Sequence, residues 1–172
     1  MTAAPTPAPA PAAAAKCVHP LASAALRILP LAADKDCPVD PEMGGSTLVN
    51  VDIKFPEANG LTVTAELAKG SHDVERGLMY RRKMADDHGM LFKLGERKVQ
   101  TFWMQNTCIP LDIIFVEDDG TIVGVGECAK PLDESIVSVP CPSQWVLEMN
   151  AGWARKHGVK PGQKMTIPAS AR

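Results

Sequence analysis

Over most of the chain beyond residue 46, apolar positions recur at every second residue. Leu48 to Phe55, LVNVDIKF, alternates, and after the turn signal Ala58-Asn59-Gly60 the run Leu61 to Leu67 alternates again, with Leu61, Val63, Ala65 and Leu67 on one face. Two paired strands are predicted. Ser71 is placed to cap a helix reaching about Met84, since Asp73 and Glu75 suit the positive end of a first turn and Val74 and Leu78 share a face. Gly89-Met90-Leu91-Phe92 predicts a short strand, and Gly95 to Lys98 a polar turn. A strand then follows from Phe102 to Thr107, with Phe102, Met104 and Asn106 on one side and Trp103, Gln105 and Thr107 on the other, until Pro110 stops the pairing. Leu111 to Val116 and Thr121 to Val125 flank Asp119-Gly120, the signature of a hairpin. Gln144 to Met149 predicts a further strand, Asn150 a cap for a helix through Lys156, Gly158 its stop, and Lys164 to Ile167 a closing strand after the Pro161-Gly162 turn. Many short strands with two short helices make the chain mainly β. A β-sandwich or partly closed barrel is expected, not a parallel α/β sheet.

The N-terminal pattern is different. Residues 1–15, MTAAPTPAPAPAAAA, have the composition of an extended, solvated tether, and the mixed stretch to Gly45 offers Leu21, Leu26, Ile28 and Leu29 for docking on a domain surface. The expected division is a disordered or loosely docked Pro/Ala-rich arm over 1–45 and one β-rich domain over 46–172. Leu21 to Ala33 comes nearest to the core of a signal peptide but is broken by Arg27 and Pro30, so no intact leader is expected. No run of about 18 apolar residues is present, so no helical membrane span is expected.

Charge and motifs narrow the chemistry. Eighteen Lys and Arg against twenty Asp and Glu leave no electrostatic footprint for nucleic acid. Gly124-x-Gly126-x-x-Ala129 imitates a dinucleotide fingerprint, but Pro131 falls where its helix would have to run. His72-Asp73 and Asp86-Asp87-His88 read as solvated turn residues, and Cys108 as a nucleophile would need a partner His; none is close in sequence, and His157 is the candidate. Neither metal nor cofactor is expected. The five cysteines lack C-x-x-C and zinc-ligand spacing. Cys17 with Cys37, and Cys128 with Cys141, are candidate bridges, and bridging would require an oxidising compartment.

Candidate site residues stand out because they are polar inside apolar patterns. Glu66, Asp112 and Glu148 each lie within a strand pattern, and a buried carboxylate is costly unless paired. Arg76, Arg81 and Arg82 could pair with them and lock helix to sheet. Alternatively, Arg76, Arg81, Asp112 and Glu148 could line a polar pocket with Trp103 and Asn106, although strand parity places Trp103 and Asn106 on opposite faces unless the chain bends.

These residues also carry a family resemblance. Glu66, Glu75-Arg76-Gly77-Leu78-Met79 with Arg81, Gly89-Met90-Leu91-Phe92, Phe102-Trp103-Met104 with Asn106-Thr107, Pro110-Leu111-Asp112-Ile113-Ile114-Phe115, Asp119-Gly120, and Leu147-Glu148 with Gly152 together resemble the bacterial and archaeal family called domain of unknown function 192. That pattern commonly has a basic residue where Gln105 stands here. The resemblance implies a compact, sandwich-like β domain, with an export signal in many bacterial members, and no established activity. The resulting expectation is a non-enzymatic, monomeric binding or accessory domain, periplasmic or otherwise extracytoplasmic rather than cytoplasmic, with a pocket for a small ligand or partner segment. Two alternatives remain: a glycan-directed hydrolase using Asp112 and Glu148 as acid and base, which needs carboxyls about 5–9.5 Å apart across an open cleft, and a purely structural module.

Overall fold

The computed structural model describes residues 16–23 and 31–172. The Pro/Ala tract 1–15 and the docking candidates Leu26, Ile28 and Leu29 lie outside the described residues. Among the described residues are eight strands: β1 (Val49–Phe55), β2 (Leu61–Ala68), β3 (His88–Lys98), β4 (Thr101–Phe102), β5 (Leu111–Val116), β6 (Ile122–Ala129), β7 (Val137–Ser138) and β8 (Ser143–Asn150). Two short helices accompany them, α1 (Ser71–Arg76) and α2 (Trp153–His157), with a 3-10 turn at Ala169–Ala171. The mainly β class with two short helices is as the pattern predicts.

Six strands form one open sheet in the order β1-β2-β3-β8-β5-β6, and β4 pairs with β7 in a small second sheet. The main sheet does not close into a barrel. Where Lys164 to Ile167 was expected to add a strand, the chain makes only isolated bridges, Thr121 with Lys164 and Lys54 with Thr166. All neighbours in the main sheet are antiparallel except β2 and β3. A parallel pair needs a crossover of a dozen or more residues. That crossover carries α1.

The central strands β5 and β8 are buried on both faces, so LDIIFV reads as a continuous apolar run and not as an alternation. Alternation decides which core each side chain joins. Ile114, Val116, Trp145, Leu147 and Met149 meet Trp153, Val159 and Met165 on the α2 face. Ile113, Phe115, Val146, Met90 and Phe92 meet Leu78, Met104 and Val139 on the crossover face.

Four local expectations are corrected. The first helix ends at Arg76, not Met84, because Gly77 leaves the helix at φ 49° and Tyr80, at φ 64°, donates its backbone N–H to the Asn106 carbonyl at 2.7 Å. Gly95 to Lys98 is not a turn but the end of an eleven-residue β3. The strand expected over Phe102 to Thr107 stops at Phe102, because Asn106 takes φ 56° and Thr107 N–H turns back to the Met104 carbonyl at 3.1 Å. Asn150 does not cap α2. Its amide donates to the Met84 and Ala85 carbonyls at 3.0 and 3.3 Å, pinning the crossover to β8, and Gly152 takes the cap position.

The expected disulfides are corrected as well. Cys17 bonds Cys141 and Cys37 bonds Cys108, with Cα–Cα separations of 5.5 and 5.3 Å, and Cys128 is free. Cys37 is brought to Cys108 by the Asp34 N–H, which donates to the Cys108 carbonyl at 2.8 Å, and by Arg82, which donates to the Cys37 carbonyl at 3.1 Å. His19 N–H donates to the Val123 carbonyl at 2.7 Å and Leu21 packs on the α2-side core, which carries Cys17 to the β6 side of the sheet.

Candidate functional site

Antiparallel and parallel registers align Glu66 of β2, Met90 of β3, Glu148 of β8 and Ile113 of β5 in one row across the sheet. Paired residues share a face. Glu66 and Glu148 therefore both point to the crossover side, two strands and so about 9–10 Å apart at their Cα atoms. Their environments differ. Arg81, carried by the bend after α1, grips Glu66 in a bidentate pair, Nη1 to Oε1 at 2.5 Å and Nη2 to Oε2 at 2.9 Å. No such partner reaches Glu148. It is 5% exposed, and among the described residues neither a hydrogen bond nor an ion pair meets its carboxyl. Burial alone pushes that carboxyl up to about 8, because no neighbouring charge or donor stabilises the anion.

Glu148 lies at a cavity of about 320 Å³ between the crossover and the sheet. Phe92 and Phe102 form apolar walls, edge to face with centroids 5.4 Å apart, together with Leu78 and Leu94. Thr107, Gln100 and Lys98 add polar atoms to the lining, and Trp103 lines it while half-exposed. Gly77 is needed where the crossover passes Phe92, since a Cβ there would sit 3.2 Å from the ring in a left-handed backbone. Apolar and polar atoms line this concave space in about equal measure, and the perturbed Glu148 carboxyl is among them.

Arg76 lines this cavity and two smaller hollows beside it. Its guanidinium is already engaged, donating to Asp40 at 2.7 Å, lying 3.2 Å from Glu42, and stacking 5.3 Å from the Tyr80 centroid. The arginine–carboxylate lock expected between helix and sheet thus exists for Arg81, whereas Arg76 holds the N-terminal arm. Asn106 lines a hollow shared with Arg76 and Tyr80, and its left-handed backbone re-aims the chain between it and Trp103. Parity therefore no longer separates them, although they face neighbouring spaces.

Asp112 is removed from the pocket. It is fully buried on the α2 face, where its Oδ1 accepts from Cys128 N–H at 2.9 Å and Gly152 N–H at 3.0 Å, and its Oδ2 from Ala154 N–H at 2.9 Å. It caps α2 from a strand distant in sequence. Burial pushes its carboxyl up and these three amides oppose the push. Because Asp112 pairs in register with Met149 and Glu148 with Ile113, the two carboxylates point to opposite faces of the sheet. They cannot flank one bond, and the acid–base pair of a hydrolase is corrected on that ground.

The fold and cavity define an open-sheet, mostly β domain in which the buried Glu148 carboxyl, under a crossover, has no partner among the described residues. The chain belongs to the family of domain of unknown function 192, described as "Uncharacterized ACR", whose pattern matches residues 54–167. A solved protein of Sinorhizobium meliloti 1021, described as a "putative transcription regulator", is 42% identical, with a TM-score of 0.67 over 72% of this chain and 97% of its own. A protein of unknown function from Novosphingobium aromaticivorans DSM 12444 is 37% identical, with a TM-score of 0.66 over 76% of this chain and 91% of its own. No curated protein matches the chain. Among the described residues no helix is long and apolar enough to cross a membrane.

Proposed function

We propose that the chain is a non-enzymatic, extracytoplasmic binding domain that holds a small ligand in the cavity at Glu148. The observation that carries this reading is the contrast along one sheet row: the fold supplies a bidentate arginine to Glu66 and nothing to Glu148. An isolated buried carboxyl costs stability, so it is more readily understood as a group kept for a ligand than as scaffold. The two disulfides support an oxidising compartment. The regulator description of the Sinorhizobium relative is not carried over, because the near-neutral charge balance gives no electrostatic footprint for nucleic acid.

Native mass spectrometry of the protein purified from its host under non-denaturing conditions tests the reading. The expected result is a retained small molecule that is lost in Glu148→Gln while the variant keeps its melting transition. Only the bare protein mass, in preparations never exposed to denaturant, would favour a purely structural module.

A further inference from the structure

Resting on that reading of the cavity, we infer that its ligand is an organic ammonium, a protonated amine on an apolar body, whose nitrogen pairs with the Glu148 carboxylate while its body lies on the apolar part of the lining. The missing partner of a buried carboxylate is a cation or a hydrogen-bond donor, and none of the described residues supplies either. Three charged side chains line the cavity from the packed elements, Glu75 and Arg76 of α1 and Lys98 of β3. Arg76 is held by Asp40 and Glu42, Lys98 is exposed beside Glu96 at 3.3 Å, and neither makes an ion pair with Glu148. The remaining strand neighbours of Glu148 are Met90 and Ile113, which cannot titrate.

A cation for the ionised carboxyl therefore comes from beyond the described residues. A metal ion fits poorly, since hard cations take six or more oxygens and no cluster of three ligating side chains occurs among the described residues. An organic ammonium fits better, since its nitrogen needs only the one carboxylate and its apolar body meets Leu78, Leu94, Phe92 and Phe102. Binding then exchanges one proton. Below pH 8 the empty site holds a proton on Glu148, which leaves to solvent as the ammonium enters; a primary amine keeps its own proton to about pH 10.

The test uses the full chain with both disulfides intact and three probes of one length, hexylammonium, hexanol and hexanoate, titrated calorimetrically at pH 6, 7 and 8. Hexylammonium is expected to bind most tightly of the three at pH 8, with an affinity about fiftyfold above that at pH 6, as the ionised fraction of Glu148 grows from about 1% to about 50%. Glu148→Gln is expected to lose this preference and its pH dependence while still binding hexanol. The wild-type comparison needs no variant to fold. Hexanol binding as well as hexylammonium, or weakening as pH rises, overturns the ammonium class and leaves the cavity a ligand site. If none of the three probes binds at any pH, the ligand-site reading falls with it.

Discussion

Replacing Glu148 with glutamine is expected to stabilise the empty protein at alkaline pH. In the unfolded chain this glutamate ionises near 4.5, whereas in the fold burial holds its proton to about 8. Between those values the native state binds more protons than the unfolded state, so stability falls as pH rises, at up to about 1.36 kcal/mol per pH unit. Over the span from 4.5 to about 8 that amounts to roughly 3–5 kcal/mol, a large share of a typical domain's 5–15 kcal/mol. Glutamine keeps nearly the same volume and carries no charge at any pH. The difference in unfolding free energy between Glu148→Gln and the parent should therefore grow in favour of the variant from pH 5 to pH 8 and level off above it. Urea unfolding followed by tryptophan fluorescence at half-unit pH steps measures this difference, and other titrating groups cancel in it. Parallel curves, or a variant that loses ground with rising pH, would refute the premise that the carboxyl is unpaired.

Asp112→Ala should cost about 3–5 kcal/mol, since three buried N–H groups lose their acceptor and each is worth roughly 1–3 kcal/mol, and Asp112→Asn about 1–3 kcal/mol because only one of its two oxygens is lost; equilibrium unfolding of both variants checks the order. Peptide mapping without reductant should return Cys17 joined to Cys141 and Cys37 to Cys108, with Cys128 alone alkylated, and a Cys17–Cys37 peptide would contradict the docking of the arm. Removing the Cys37–Cys108 bridge, which spans 71 residues, should lower stability by about 4 kcal/mol on the loop-entropy estimate. Gly77→Ala should cost about 1–3 kcal/mol in thermal unfolding, because it adds a Cβ 3.2 Å from Phe92 at a left-handed position.

Much of the architecture was legible in the chain itself. Period-two runs marked β1 and β2, and two apolar runs about the Asp119-Gly120 turn marked the β5–β6 hairpin, because these signals depend on a residue and its immediate neighbours. Glu66, Asp112 and Glu148 were visible too, as carboxylates inside apolar patterns. Their three fates were not. Asp112 became a helix cap because α2, some 40 residues later, returns across the opposite face of the sheet, and its continuous apolar strand carries no alternation to reveal which face that is. The lining contributed by Phe92, Gln100, Lys98 and Phe102 went unremarked, since nothing in the local sequence says that a parallel crossover will roof these positions. The signal that points to it is a short helix between two strands too far apart for a hairpin.

The sequence by itself determined the strand periods, the turns, the near-neutral charge and the presence of three costly carboxylates. Tertiary structure alone decided that β8 inserts between β3 and β5, that Cys37 and Cys108 meet, and that Arg81 reaches Glu66 while no cation among the described residues reaches Glu148. The physical reason is range. Backbone preference and amphipathic period act over a few residues, but register across the sheet is set by how the whole core packs, and that choice leaves one carboxyl buried without a partner.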